Sequence, residues 1–194
     1  MVLTASTMLN LGAVAPPFAL PDTNGKTVQL DDFRDAAGLL VVFSCNHCPY
    51  VQHIQHELAA IGREYSPKGI AMVAINANDP IAYPQDSVEK MREVAAQFGY
   101  TFPYLYDATQ EVAKAYRAAC TPDFFLFDGD RRLVYRGQLD DSRPGSKTPV
   151  TGRDLRRAMD DLLAQRPLVE EQRPSMGCNI KWRSGNAPDY YSGT

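Results

Sequence analysis

Long apolar runs are missing from this sequence: nowhere do eighteen apolar residues follow one another, so no membrane-spanning helix is expected. Charge of one sign is missing too. Twenty basic against 23 acidic side chains leave a net charge of -3. That balance gives no general attraction to phosphate backbones or anionic lipid, so neither nucleic acid nor a membrane is an expected partner. Met1 to Phe18 holds no Lys or Arg and no sustained apolar stretch, so both parts of a secretory signal are lacking. There is no internal repeat, low-complexity tract or long linker. The expected compartment is cytoplasmic, where structural disulfides are rare. The four cysteines therefore need another reason to be there.

What is present is ordinary for a globular protein: 194 residues, 44% hydrophobic and 22% charged. A chain of this length buries enough surface to fold without disulfides or metal. It reads as one domain over 1–194, with a loose N-terminus at 1–14 and a C-terminal tail at 168–194 packed on the body. Phe18, Leu20, Val28 and Leu30 around Asn24-Gly25 predict a β-hairpin. Leu39 to Phe43 is apolar without alternation, the pattern of a strand covered on both faces. Pro49 opens a helix with Val51, Ile54, Leu58, Ile61 and Tyr65 on one stripe.

A second apolar strand follows at Ile70 to Ile75. Asp86 with Glu89 resembles a capping box for a helix ending at Gly99. Tyr104 to Tyr106 predicts a strand and Thr109 to Tyr116 a short helix. Phe124 to Phe127 and Leu133 to Tyr135 pair across Asp128-Gly129, and a helix starts near Thr151. Alternation of strands and helices predicts an α/β fold: a central, mostly parallel sheet with an antiparallel edge hairpin and helices on both faces.

Between the first buried strand and its helix lies Ser44-Cys45-Asn46-His47-Cys48-Pro49-Tyr50. Reactive groups gather at the carboxyl ends of strands in such sheets. A thiol at a helix start ionises more readily than the usual value of about 8.5. Cys45 is expected to be the readily ionised, attacking thiol, and Cys48 the deeper one that resolves the mixed disulfide. His47 is expected to support the Cys45 sulfur by charge or a hydrogen bond, making the couple more oxidising. Half of a zinc site, two inert core cysteines, and a copper or other metal carrier are the competing readings. Cys120 and Cys178 form no second CxxC, however, and His53 and His56 point away from the thiols as surface residues. No metal and no cofactor are therefore expected.

With these features the sequence resembles thioredoxin-fold proteins, specifically the peroxiredoxin-like branch of the AhpC/TSA redoxin family. The resemblance rests on Ala15-Pro16-Pro17-Phe18, the Cys45–Tyr50 motif, Ala119 to Phe125 with Thr121-Pro122, Arg136-Gly137 and the tail Pro174 to Trp182. It implies a cis proline at Pro122 facing the thiols, with the Thr121 backbone free to pair with an incoming disulfide peptide. Thr121 and Pro122 are thus the expected substrate-binding residues.

Two departures stand out. The strand before the CxxC has no carboxylate, which leaves His47, water or Asp79 to take a proton from Cys48. Aligning Cys48 with the peroxidase cysteine of the family puts Cys45 at the hydroxyl position and Val41 at the proline position, so that signature is absent.

Cys120 and Cys178 are possible accessory thiols: buried free cysteines, a mutual pair, or Cys178 as an extra resolving thiol. The loop Gly137 to Pro149 reads as a solvated turn, with a substrate-facing loop as the alternative, and Tyr83-Pro84 is a candidate for lining the site. The expected function is a thiol–disulfide oxidoreductase. Thiol-dependent peroxide reduction (an antioxidant role) and a metal-binding or assembly-factor role without turnover are the alternatives. Expected partners are a disulfide-containing protein or a small thiol or peroxide, with a thioredoxin- or glutathione-type reductant. The couple is expected above about -270 mV and nearer about -180 mV.

Overall fold

The computed structural model describes residues 3–169 and 171–191. Strand β1 is Leu3–Ala5, and the hairpin strands are β2 (Ala19–Pro21) and β3 (Thr27–Gln29). Then follow β4 (Gly38–Phe43), α1 (Pro49–Tyr65), β5 (Ile70–Asn76), α2 (Val88–Phe98) and β6 (Tyr104–Tyr106). The second half carries α3 (Glu111–Ala115), β7 (Cys120–Thr121), β8 (Asp123–Asp128), β9 (Leu133–Tyr135), α4 (Arg153–Leu163) and β10 (Met176–Asn179). Among the described residues no helix is long and apolar enough to cross a membrane.

The main sheet has five strands in the order β6-β5-β4-β8-β9. The crossovers through α1 and α2 make β4, β5 and β6 parallel, whereas β8 and β9 run antiparallel. Every residue of β4 is buried, as a strand covered on both faces requires. Because side chains alternate along a strand, β4 and β8 feed two cores. Leu40, Val42, Phe124 and Leu126 meet Ile54, Leu58, Met91 and Met159 of α1, α2 and α4 on one face. Leu39, Val41, Phe125 and Phe127 meet Ala113, Tyr116 and the hairpin residues Leu20 and Val28 on the other.

Three local readings change. The N-terminal segment read as loose is anchored, since β1 pairs with β10 and places Leu3 opposite Cys178. Three residues with no apolar periodicity carry too little pattern to reveal such a strand. Helix α2 is capped by Ser87, whose hydroxyl accepts the Lys90 N–H, so Asp86 is released from the predicted cap. In the β8–β9 hairpin the positive φ falls on Arg131 (φ 61°), not on the Asp128-Gly129 pair, because the turn is longer than two residues.

Candidate active site

Cys45 and Cys48 lie just past the carboxyl end of β4, in a short loop that Pro49 closes by starting α1. Cys48 is the N-cap residue, and Cys45 stands before the helix rather than at its first turn. Both thiols are buried, Cys45 1% and Cys48 0% exposed. They pack with Val51 and Cys178. Thr121 serves the two sulfurs in different ways. Its hydroxyl lies 3.2 Å from Cys45 Sγ, while its carbonyl accepts from the Cys48 thiol at 3.2 Å. The Thr121-Pro122 peptide is cis, as the resemblance implied.

The two thiols lose protons as a pair. Hydrogen bonding from Cys45 pulls Cys48 down to about 5, against the cost of burial, with further support from the Cys178 thiol and the Val51 amide. Burial pushes Cys45 well up, its hydrogen bond to Cys48 adds to this, and the nearby Asp86 carboxylate follows. A thiolate at Cys48 gains nothing from the Thr121 carbonyl, but the donors gathered around it outweigh that one acceptor. The donors gathered at Cys48 favour its thiolate, whereas the sequence pointed to Cys45. Cys48 occupies the helix mouth, while Cys45 faces a negative charge.

That charge belongs to Asp86, a residue that sequence reasoning assigned to a cap. It lies at the end of the 3-10 turn Pro84–Asp86 and is fully buried. Oδ1 accepts from the Asn46 amide at 2.7 Å and the His47 amide at 3.3 Å. Oδ2 accepts from His47 Nδ1 at 2.6 Å and Asn78 Nδ2 at 2.7 Å. Burial works against ionisation here, yet these donors win and hold the carboxyl below the usual range. Asn46 extends the network through the Tyr104 hydroxyl (3.1 Å) and the Gln85 carbonyl (2.8 Å). The dithiol loop is thus pinned from a segment about forty residues away.

His47 sits beside the thiols but is not bonded to either: its Nδ1 is committed to Asp86 and its ring stacks on Tyr83 at 4.9 Å. Tyr83 is thereby part of the site's wall. Asp79, the other proposed proton acceptor, caps its own turn through the Ile81 amide (3.1 Å) instead. His53 is half-buried rather than solvated, with Nε2 enclosed and unpartnered, while His56 is exposed against Phe98. Cys45, His47 and Asp86 bring ligand-type atoms within 4.8 Å of one another. A cation there would have to displace four hydrogen bonds already made to the carboxylate.

The Thr121 backbone is not free. Strand β10 lies antiparallel to β7 with Cys178 opposite Thr121 and Asn179 opposite Cys120. Gly177 seats it there, since a Cβ at that position would meet the Thr121 carbonyl oxygen at 2.0 Å. The expected open edge for a peptide is filled by the chain's own tail.

The register also separates the accessory thiols. Neighbouring residues on a strand face opposite ways, so Cys178 shares a face with Thr121 and the thiols, while Cys120 turns away. Cys120 Sγ approaches the Pro122 carbonyl at 3.6 Å, and all four cysteines are buried thiols. The Gly137 to Pro149 loop is packed over Gly137 to Asp140 and at Ser142, and exposed over Gly145 to Pro149. Asp140 accepts from the Thr151 and Gly152 amides at 2.7 Å each, and Arg143 lines a narrow cleft beside Pro122 with Tyr50, His53 and Met176.

Against known proteins, residues 11–136 match the AhpC/TSA family. The thiol-disulfide oxidoreductase ResA of Geobacillus kaustophilus is 32% identical over 140 residues, covering 70% of this chain and 75% of its own. A crystal structure of an uncharacterized conserved protein from the same organism superposes with a TM-score of 0.92 at 56% identity, over 94% of this chain and 97% of the other. A hypothetical protein of Sinorhizobium meliloti 1021 gives 0.92 at 50% identity, over 94% and 100%.

Proposed function

The chain belongs to the AhpC/TSA family and is a thiol–disulfide oxidoreductase, and from that premise we propose that Cys48 is its attacking sulfur and Cys45 its resolving one. Ionised Cys48 attacks a substrate disulfide, forming a mixed disulfide and expelling one substrate thiolate. Cys45 then attacks Cys48 Sγ, releasing the second thiolate and leaving the Cys45–Cys48 disulfide. Two electrons pass to the substrate, and an external thiol restores the dithiol. The observation that carries this reading is the set of donors converging on Cys48 while burial, with Asp86 nearby, favours the protonated form of Cys45. Asp86, His47 and Asn46 are positioning residues that fix the loop.

The family points to disulfide-containing proteins as substrates. The filled Thr121 edge favours a disulfide that enters without adding a strand, including a low-molecular-weight one. A glutathione- or thioredoxin-type thiol is the reductant we propose. The cytosol is the compartment we propose, since four cysteines in the thiol form suit a reducing environment. Alkylation of reduced protein across pH 4–9 with peptide mass mapping tests the roles. First modification at Cys48, with a midpoint near 5, is expected, and first modification at Cys45 would reverse them.

A second reading is peroxide reduction, the antioxidant role of a peroxiredoxin-like protein. It draws support from Cys45, which stands at the family's hydroxyl position and donates to Cys48 as that hydroxyl would. Cys48 would take one oxygen to become a sulfenic acid, and Cys45 would condense with it to disulfide and water. Peroxide consumption with a dithiol donor is the check, and no consumption above the Cys48→Ser background excludes it.

A further inference from the structure

Three sulfurs, not two, meet at the helix mouth. Cys178 is 4% exposed and packs in one cluster with Cys45, Cys48 and Val51. It is delivered there by backbone geometry: β10 is held between β1 and β7, opposite the residue that bonds both other thiols. Gly177 has no room for a side chain against Thr121 and Pro122, so the strand seats closely. An incoming disulfide peptide would lie along this same edge, and here the chain's own strand lies there carrying a cysteine.

The geometry points to Cys178 as a third redox residue, an internal thiol that exchanges onto Cys48 and forms a Cys48–Cys178 disulfide. This rests on the reading that Cys48 is the attacking sulfur. In the oxidised protein, Cys178 Sγ attacks Cys48 Sγ, the Cys45–Cys48 bond breaks, and Cys45 leaves as a thiolate that takes up the proton lost by Cys178. No external oxidant is consumed, because one disulfide replaces another. On a mixed disulfide at Cys48 the same attack expels the substrate thiolate in place of Cys45.

The reaction is gated by the state of Cys48. In the reduced protein burial pushes the Cys178 thiol up to about 12, and its hydrogen bond to Cys48 and the Cys48 charge add to the shift. Once Cys48 has entered a disulfide, that charge and that acceptor are gone; burial, the larger cause, still opposes the thiolate, and Lys181 nearby still favours it. The two contributions from Cys48 are thus lifted when there is a disulfide to attack.

The test uses the full chain with Cys45→Ser, alone and combined with Cys178→Ser, treated with glutathione disulfide. Two glutathione thiols per protein and a Cys48–Cys178 peptide are expected from the single variant. One thiol and a persistent glutathione adduct on Cys48 are expected from the double variant. A persistent adduct in the single variant would overturn the proposal while leaving Cys48 as the attacking sulfur. No thiol from either variant would remove Cys48 from that role and the proposal with it. As a further check, oxidised Cys178→Ser should still show the Cys45–Cys48 disulfide. Its presence shows that the CxxC couple stands without the third thiol.

Discussion

The two flanks of the dithiol are built from different materials. On the Cys45 side lies a buried carboxylate with its donors: Asp86, His47, Asn46 and Asn78. On the Cys48 side lie sulfur and backbone: Cys178, the Val51 amide and the Thr121 carbonyl. The first flank is rigid and opposes negative charge on its neighbour. The second has donors and no formal charge, so it accepts a thiolate. A pair of chemically identical thiols is thereby split into one that ionises early and one that keeps its proton. The split needs no carboxylate on β4, the feature whose absence the sequence made conspicuous.

The difference between the flanks breaks most completely at the sulfur itself. Cys48→Ser should cut disulfide turnover by roughly 10³-fold or more, measured as insulin-type disulfide reduction. Asp86→Asn tests the first flank by removing the charge and one of the two acceptor oxygens that His47, Asn78 and the loop amides share, and should cost about 2–4 kcal/mol in urea unfolding. Asp86 is depressed in the folded state, so its contribution is complete above the unfolded carboxyl value of about 3.9. It fades as acid carries the pH down through the folded value. The gap between wild type and Asp86→Asn should therefore narrow below about pH 4.

Potentials sharpen the contrast. Removing the carboxylate favours the thiolate, so Asp86→Asn should raise the couple. His47→Ala leaves Asp86 uncompensated and should lower it, each by roughly 10–30 mV against a glutathione buffer. Shifts of the same sign would mean that the two residues do not oppose one another. The smallest effect is expected from Gly177→Ala, which lifts β10 and should speed alkylation of Cys48 by about two- to fivefold, since a thiolate reacts according to its access.

How far the sequence revealed this site depended on chain distance. The CxxC at a strand end, the following helix and the proline at 122 were legible because each is a local pattern. So were the two-faced strands, whose apolar runs admit no solvated side. Asp86 was hidden because Ser87, one residue on, is an equally good cap, and composition does not choose between them. Its partners Asn76 and Asn78 were the available clue, as amides directly after an apolar strand where burial demands acceptors. The position of Cys178 was hidden because a four-residue strand takes its register from long-range pairing. His47 was correctly placed in the motif, but its partner was not a sulfur.

The ribbon β1-β10-β7 brings Leu3–Ala5 and Met176–Asn179 together above the reactive loop. Whatever pulls on the first few residues therefore also loosens the cover of the redox centre. A tag, a truncation or a binding protein at that terminus would act on the chemistry without touching a thiol.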